Sequence, residues 1–130
     1  MDHAPGHTTG YSHLDALDPV TGKVQWTYPY KYELLASVLA TDGDLVFTGD
    51  DEGHYFALDA RTGKKLWSYQ TGAPHRGGAV TYMVGGRQFI ITPIGRGATA
   101  SDISMVLWPE ASTWRVASAV IAFALPEDSK

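Results

Sequence analysis

Five carboxylates fall within eleven residues of this chain, Asp42, Asp44, Asp50, Asp51 and Glu52, and oxygen donors at that density suit a hard cation such as calcium. Their spacing is not that of a helix–loop–helix calcium site. Gly43, Gly49 and Gly53 among them mark hairpin turns, where Asp side chains accept backbone N–H groups, and the turn reading is preferred. His3 and His7 stand four apart, as zinc ligands on a helix would, but Pro5 and Gly6 between them oppose a helix and imply a solvated lead-in. His75-Arg76 lies in a Gly- and Pro-rich loop that is open to a ligand or to solvent; a solvated loop is the expectation. Arg96 stands between Gly95 and Gly97, a spacing that suggests a dinucleotide fingerprint. No helix of the kind required by a dinucleotide fingerprint follows it.

Asp18 and Asp59 are further candidates for a base or a metal ligand until their surroundings are compared. The stretch Ala16 to Trp26 matches Ala57 to Trp67 at seven of eleven positions, 41 residues later (57 − 16). An active site needs one base whereas a repeat needs many turns, so the duplication assigns both acids to turn formation. In each copy Asp can accept N–H bonds two and three residues on, Thr can do so with its hydroxyl, and Gly can take positive φ. Trp26 and Trp67 then supply large rings whose indole N–H needs a partner.

These turns must be held by strands. Tyr55 to Leu58 is apolar, Lys65 to Tyr69 alternates, and a period near 40 with strand patterns inside it is the sign of a propeller blade of about four short strands. Leu34 to Ala40 reads as an innermost strand buried on both sides, Asp42-Gly43 as a hairpin turn and Leu45 to Thr48 as the next strand. Ala79 to Val84 and Arg87 to Thr92 repeat the pattern around Gly85-Gly86. Residues 93–113 depart from it, with Ile103 to Trp108 open between a helical turn and a covering loop; Ala117 to Leu125 is a final strand. The expected fold class is all-β, a β-propeller segment of two to three four-stranded antiparallel blades. Residues 1–33 end one blade, 34–70 form a complete one, 71–126 form a last, irregular one and 127–130 are a tail.

A chain of 130 residues with 44% apolar side chains suffices for a packed core. Its net charge of −4 offers no basic field, which argues against nucleic acid, and no apolar run is long enough for a membrane span. The absence of cysteine excludes disulfides and thiolate metal sites. The first residues lack the basic and apolar regions of a signal peptide.

The paired Ala-x-Asp-x-x-Thr-Gly-x-x-x-Trp motifs resemble the tryptophan-docking motifs of the quinoprotein dehydrogenases, which use pyrroloquinoline quinone (PQQ). Leu39 to Gly49, Val80-Thr81-Tyr82, Gly86 to Phe89 and Val120 to Pro126 are similar to the C-terminal blades of the alcohol dehydrogenase branch. The resemblance implies an eight-bladed propeller with PQQ and calcium on its axis, an alcohol substrate, an electron acceptor and a periplasmic location. It also implies that this chain is a C-terminal fragment, inactive alone, because no segment matches the family's catalytic aspartate or calcium ligands. Its partners would be the remaining blades or a self-associated copy. Cofactor contacts are expected at Ser37, Gly95, Arg96 and Gly97. Here Leu35-Ala36-Ser37 stands where the family often has Trp-Gly-Gly, and Arg96 where it often has Trp. The alternative is a non-catalytic propeller scaffold that binds protein partners.

Overall fold

The computed structural model describes residues 5–6, 10–96, 101–114 and 117–125. Among these, β1 (Ser12–Leu17) and β2 (Val24–Tyr30) form a two-stranded sheet. A four-stranded sheet follows, in the order β3 (Leu39–Thr41), β4 (Leu45–Gly49), β5 (His54–Asp59) and β6 (Lys65–Gln70). The third sheet joins β7 (Val80–Val84), β8 (Arg87–Ile94) and β9 (Ala119–Ala124). Every pairing is antiparallel, so the chain is a propeller segment built from one four-stranded blade flanked by a two-stranded and a three-stranded sheet.

The middle sheet is covered on both faces, and the period-2 alternation of its two central strands is the cause. Val46, Phe56 and Leu58 point one way and pack with Leu14, Trp26, Tyr28, Tyr30 and Leu34. Phe47, Tyr55 and Ala57 point the other way and pack with Ile90, Ala79 and Phe123. Each large side chain buried there contributes roughly 1.5–3 kcal/mol of transfer free energy. The doubly buried strands are thus β4 and β5, which corrects the expectation that Leu34 to Ala40 would be one. Only Leu39–Thr41 of that region pairs, while Leu35 and Val38 are exposed. The preceding backbone is drawn instead toward the next loop, where Ser37 N–H donates to Gly77 O at 3.3 Å and Ser37 Oγ accepts from Ala79 N–H at 3.0 Å.

The duplicated motif forms the same local structure twice. Asp18 Oδ1 accepts the N–H groups of Val20 (2.9 Å) and Thr21 (2.7 Å), and Asp59 Oδ1 accepts those of Arg61 and Thr62, both at 2.9 Å. A register shift follows Ala16 in one copy and Ala57 in the other. The first copy then docks on the second: Trp26 Nε1–H donates to Ala60 O at 2.9 Å, and its ring lies over Gly63, whose φ is +70°. A Cβ on Gly63 would come within 2.7 Å of that ring.

After β8 the chain forms a short helix, α1 (Ser101–Leu107), and a 3₁₀ turn (Pro109–Thr113), resolving the two readings of Ile103 to Trp108 in favour of helix. This strap is fastened to the sheets. Trp108, 4% exposed, packs edge-on to Tyr32, as does Trp114; Lys31 Nζ donates to Glu110 Oε1 at 2.8 Å.

Candidate functional site

Strands β2, β4, β6 and β8 all run toward one end of the sheets, and the loops that follow them meet there. Gly95 N–H donates to Pro74 O (2.8 Å), His75 N–H to Asp50 O (2.9 Å) and Ser37 N–H to Gly77 O. The Asp50–Gly53 turn supplies the centre of this end. Asp50 Oδ1 accepts Gly53 N–H (2.8 Å) and His54 N–H (2.7 Å), which closes the hairpin; Oδ2 accepts Tyr30 Oη–H at 2.6 Å. Burial and that bond to the carboxylate push the Tyr30 pKa well above the ordinary phenol value.

Asp51, 1% exposed, meets Arg76 through two parallel bonds, Nε to Oδ1 at 2.7 Å and Nη2 to Oδ2 at 2.6 Å. The buried Ser104 of α1 joins them: its Oγ lies 2.8 Å from Asp51 Oδ2 and 2.9 Å from Glu33 Oε2, and accepts from Arg76 Nη2 at 3.1 Å. One guanidinium therefore neutralises the acid end of a network that ties the strap to two loops. The expectation that His75-Arg76 would be a solvated loop is overturned. His75 is wholly buried, stacked on Tyr55 with ring centroids 5.0 Å apart, and its Nε2 lies 2.8 Å from Thr71 Oγ1. Burial lowers its pKa to about 4, against the opposing pull of Asp50, so the ring is neutral near pH 7. The partners that bury the pair, Asp51, Tyr55, Thr92 and Ser104, lie far along the chain and leave no trace in local composition.

Of the residues expected at a cofactor, Ser37 is exposed, with Oγ occupied as an acceptor by Ala79 N–H. Leu35 is exposed and Ala36 half-buried beside it. Gly95 carries φ +147° and follows β8 directly. Arg96 is half-buried; its Nη2 donates to Ala111 O at 3.1 Å, while its buried Nε has no hydrogen-bond partner among the described residues. Gly97 lies outside the described residues, as do His3 and His7. The indole Nε1 of Trp108 is likewise buried without a partner among the described residues. Asp51 is engaged in ion pairing and Asp50 Oδ1 in turn closure, and the Arg96 guanidinium is a charged donor beside β8.

A groove of 330 Å³ opens at the same end, lined by Glu52, Gln70, Gly72, Thr113 and Trp114. No helix among the described residues is long and apolar enough to cross a membrane.

Residues 7–115 match the family model PQQ_2, described as outer membrane protein assembly factor BamB. Over 84 residues the chain is 45% identical to the quinoprotein alcohol dehydrogenase PedE of Pseudomonas putida, a match covering 65% of this chain and 13% of that protein. It is 36% identical over 100 residues to a lanthanide-dependent methanol dehydrogenase of Methylorubrum extorquens, covering 77% of this chain and 17% of the relative. Among solved structures, the quinohemoprotein alcohol dehydrogenase ADHIIG of Pseudomonas putida HK5 superposes with a TM-score of 0.80 at 31% identity, over 92% of this chain and 17% of that one. The enzyme of Comamonas testosteroni gives 0.74 at 26% identity, over 92% of this chain and 18% of that one. The chain thus spans under a fifth of the length of each of these relatives. With residues 7–115 matched by the family model and its sheets superposing on those of quinohemoprotein alcohol dehydrogenases, the chain belongs to the PQQ-type β-propeller family.

Proposed function

We propose that the chain is the C-terminal blade region of a PQQ-dependent alcohol dehydrogenase, forming part of the wall around the cofactor and lacking the catalytic base. The observation that supports cofactor contact is the buried Nε of Arg96, without a hydrogen-bond partner among the described residues, a cationic donor beside the close-approach backbone of Gly95. A tricarboxylated quinone fits such a donor, and Ser37 retains an O–H proton for an acceptor. PQQ, when bound, accepts the electrons removed from the alcohol. The part of this chain is to orient it through Arg96, Gly95 and Ser37, with Gly97 beside them, and to exclude water with the strap. The partners in this reading are the remaining blades, an alcohol and an electron acceptor, in the periplasm; the family's axial metal is held by other blades.

The 130-residue chain supplied with PQQ, calcium or a lanthanide, an alcohol and an artificial electron acceptor is expected to show no turnover. Measurable turnover would sink the placement of the catalytic groups. In the assembled propeller, Arg96→Ala is expected to weaken PQQ retention about tenfold, the worth of one charge-assisted hydrogen bond. Unchanged retention would remove Arg96 from the cofactor.

A non-catalytic scaffold is the second reading. The observation favouring it is that Leu35 and Arg96 stand where the dehydrogenases often carry tryptophan, while the matching family model describes an assembly factor.

A further inference from the structure

The hairpin between β4 and β5 brings together three side chains that neither the docking motif nor the cofactor wall explains. His54 Nδ1 lies 3.1 Å from Asp50 Oδ2 and 3.5 Å from Glu52 Oε2, and all three ligand atoms lie within 4.8 Å of one another. A tetrahedral zinc with bonds near 2.0–2.2 Å spaces its ligand atoms by about 3.3 Å, and the two gaps to the imidazole, 3.1 and 3.5 Å, match the edges of such a site. The alternating spacing of Asp50, Glu52 and His54 sets this up, with the turn closed by Asp50 Oδ1 and Oδ2 left facing the imidazole.

Charge points the same way. Asp50 is fully buried, and its other partners, two backbone N–H groups and the Tyr30 hydroxyl, are neutral. A second carboxylate, Glu52, faces the same imidazole nitrogen, which can carry one proton at most and so can satisfy only one of the two. A divalent cation at that point would pair with both. There is also a way in: Glu52 lines the groove of about 330 Å³, and water reaching through it would complete the coordination. One imidazole with two carboxylates is a borderline donor set, suited to zinc over calcium or magnesium. Gln70 Nε2 makes a long 3.4 Å contact with His54 Nε2, the other ring nitrogen, and leaves Nδ1 facing the two carboxylates.

We propose that Asp50, Glu52 and His54 form a zinc site on the β4–β5 hairpin, open to the groove beside Trp114. The site fastens the hairpin at its tip and is independent of the proposed cofactor contacts.

Zinc chloride is titrated into the full chain in which His3, His7 and His13 are replaced by Gln, which leaves His54 and the buried His75 as the remaining imidazoles. The expected result is one equivalent bound with micromolar affinity, a rise of several degrees in unfolding temperature reversed by a chelator, and a shift of the His54 ring resonances. Glu52→Gln, at a half-exposed position, is expected to weaken binding ten- to a hundredfold without altering the circular dichroism of the apo chain. His54→Gln is expected to abolish it. Zinc binding that is absent, or that survives His54→Gln, overturns the proposal. If His54→Gln fails to fold, the proposal stands or falls on Glu52→Gln together with the His54 resonance shift, and an unshifted ring overturns it.

Discussion

Arg76 and Asp51 meet where their side chains are 9% and 1% exposed, and at that depth a charge left alone is costly. Arg76→Met is expected to lower stability by about 3–5 kcal/mol, because Asp51 would lose its cation and face the Ser104 hydroxyl, whose one proton it shares with Glu33. Urea unfolding checks this; an unchanged midpoint would show that the carboxylate is rehydrated through the loop. Asp18 and Asp59 act at the surface and through the opposite balance. Their N–H and Thr hydroxyl donors hold both carboxyls below the ordinary Asp value, led by the backbone bond of Thr21 for Asp18 and the side-chain bond of Thr62 for Asp59. A lowered folded-state pKa means that the stabilisation is present above the unfolded Asp value, about 3.9, and is lost as pH falls through the folded one. Carboxyl-carbon NMR titration should therefore place both midpoints below that of unfolded Asp. A midpoint at the ordinary value would contradict the turn geometry.

At the scale of the element, the two docking turns are alike in conformation and unlike in burden. Gly22 and Gly63 have φ of +69° and +70°, yet a Cβ on Gly22 meets open space, whereas one on Gly63 strikes the ring of Trp26. Gly22→Ala should cost about 1–2 kcal/mol, the penalty of left-handed backbone alone. Gly63→Ala should cost about 1–3 kcal/mol beyond that, from overpacking against the indole. Paired denaturation curves test the difference; equal losses would mean that Trp26 yields freely and the docking contributes little. The strap, by contrast, depends on side chains from both loops, since α1 has seven residues and is too short to hold itself.

Among the described residues the molecule is a stack of three sheets, of which the middle one is covered on both sides. Strands β6, β7 and β9 show Leu66, Val80, Met83, Val84 and Val120 to solvent, and β6 and β9 are sheet edges with unpaired backbone groups. Apolar faces and free edges together favour association. Sedimentation of the 130-residue chain over a dilution series is expected to show self-association that lessens with dilution. A monomer throughout would mean that these faces are stable in water as they stand.

The all-β class, the Asp-Thr-Gly turns and the family likeness were legible in the amino-acid sequence because each rests on local chemistry. Turn geometry is decided within five residues, and a repeat is visible wherever two such turns recur 41 apart. By itself the sequence also assigned Asp18 and Asp59 to structure, on duplication alone. Burial and pairing across the sheets were decided only by the tertiary structure. Leu34 to Ala40 is as apolar as a central strand, but Ser37 ties it to the next loop and leaves Leu35 and Val38 in solvent. Arg76 and Asp51 are 25 residues apart, and Ser104 is 53 from Asp51. No spacing rule links such residues, because what joins them is the convergence of loops from successive sheets, a consequence of how blades stack. The same convergence leaves Arg96 Nε buried without a partner among the described residues, and so makes it a candidate contact for a ligand.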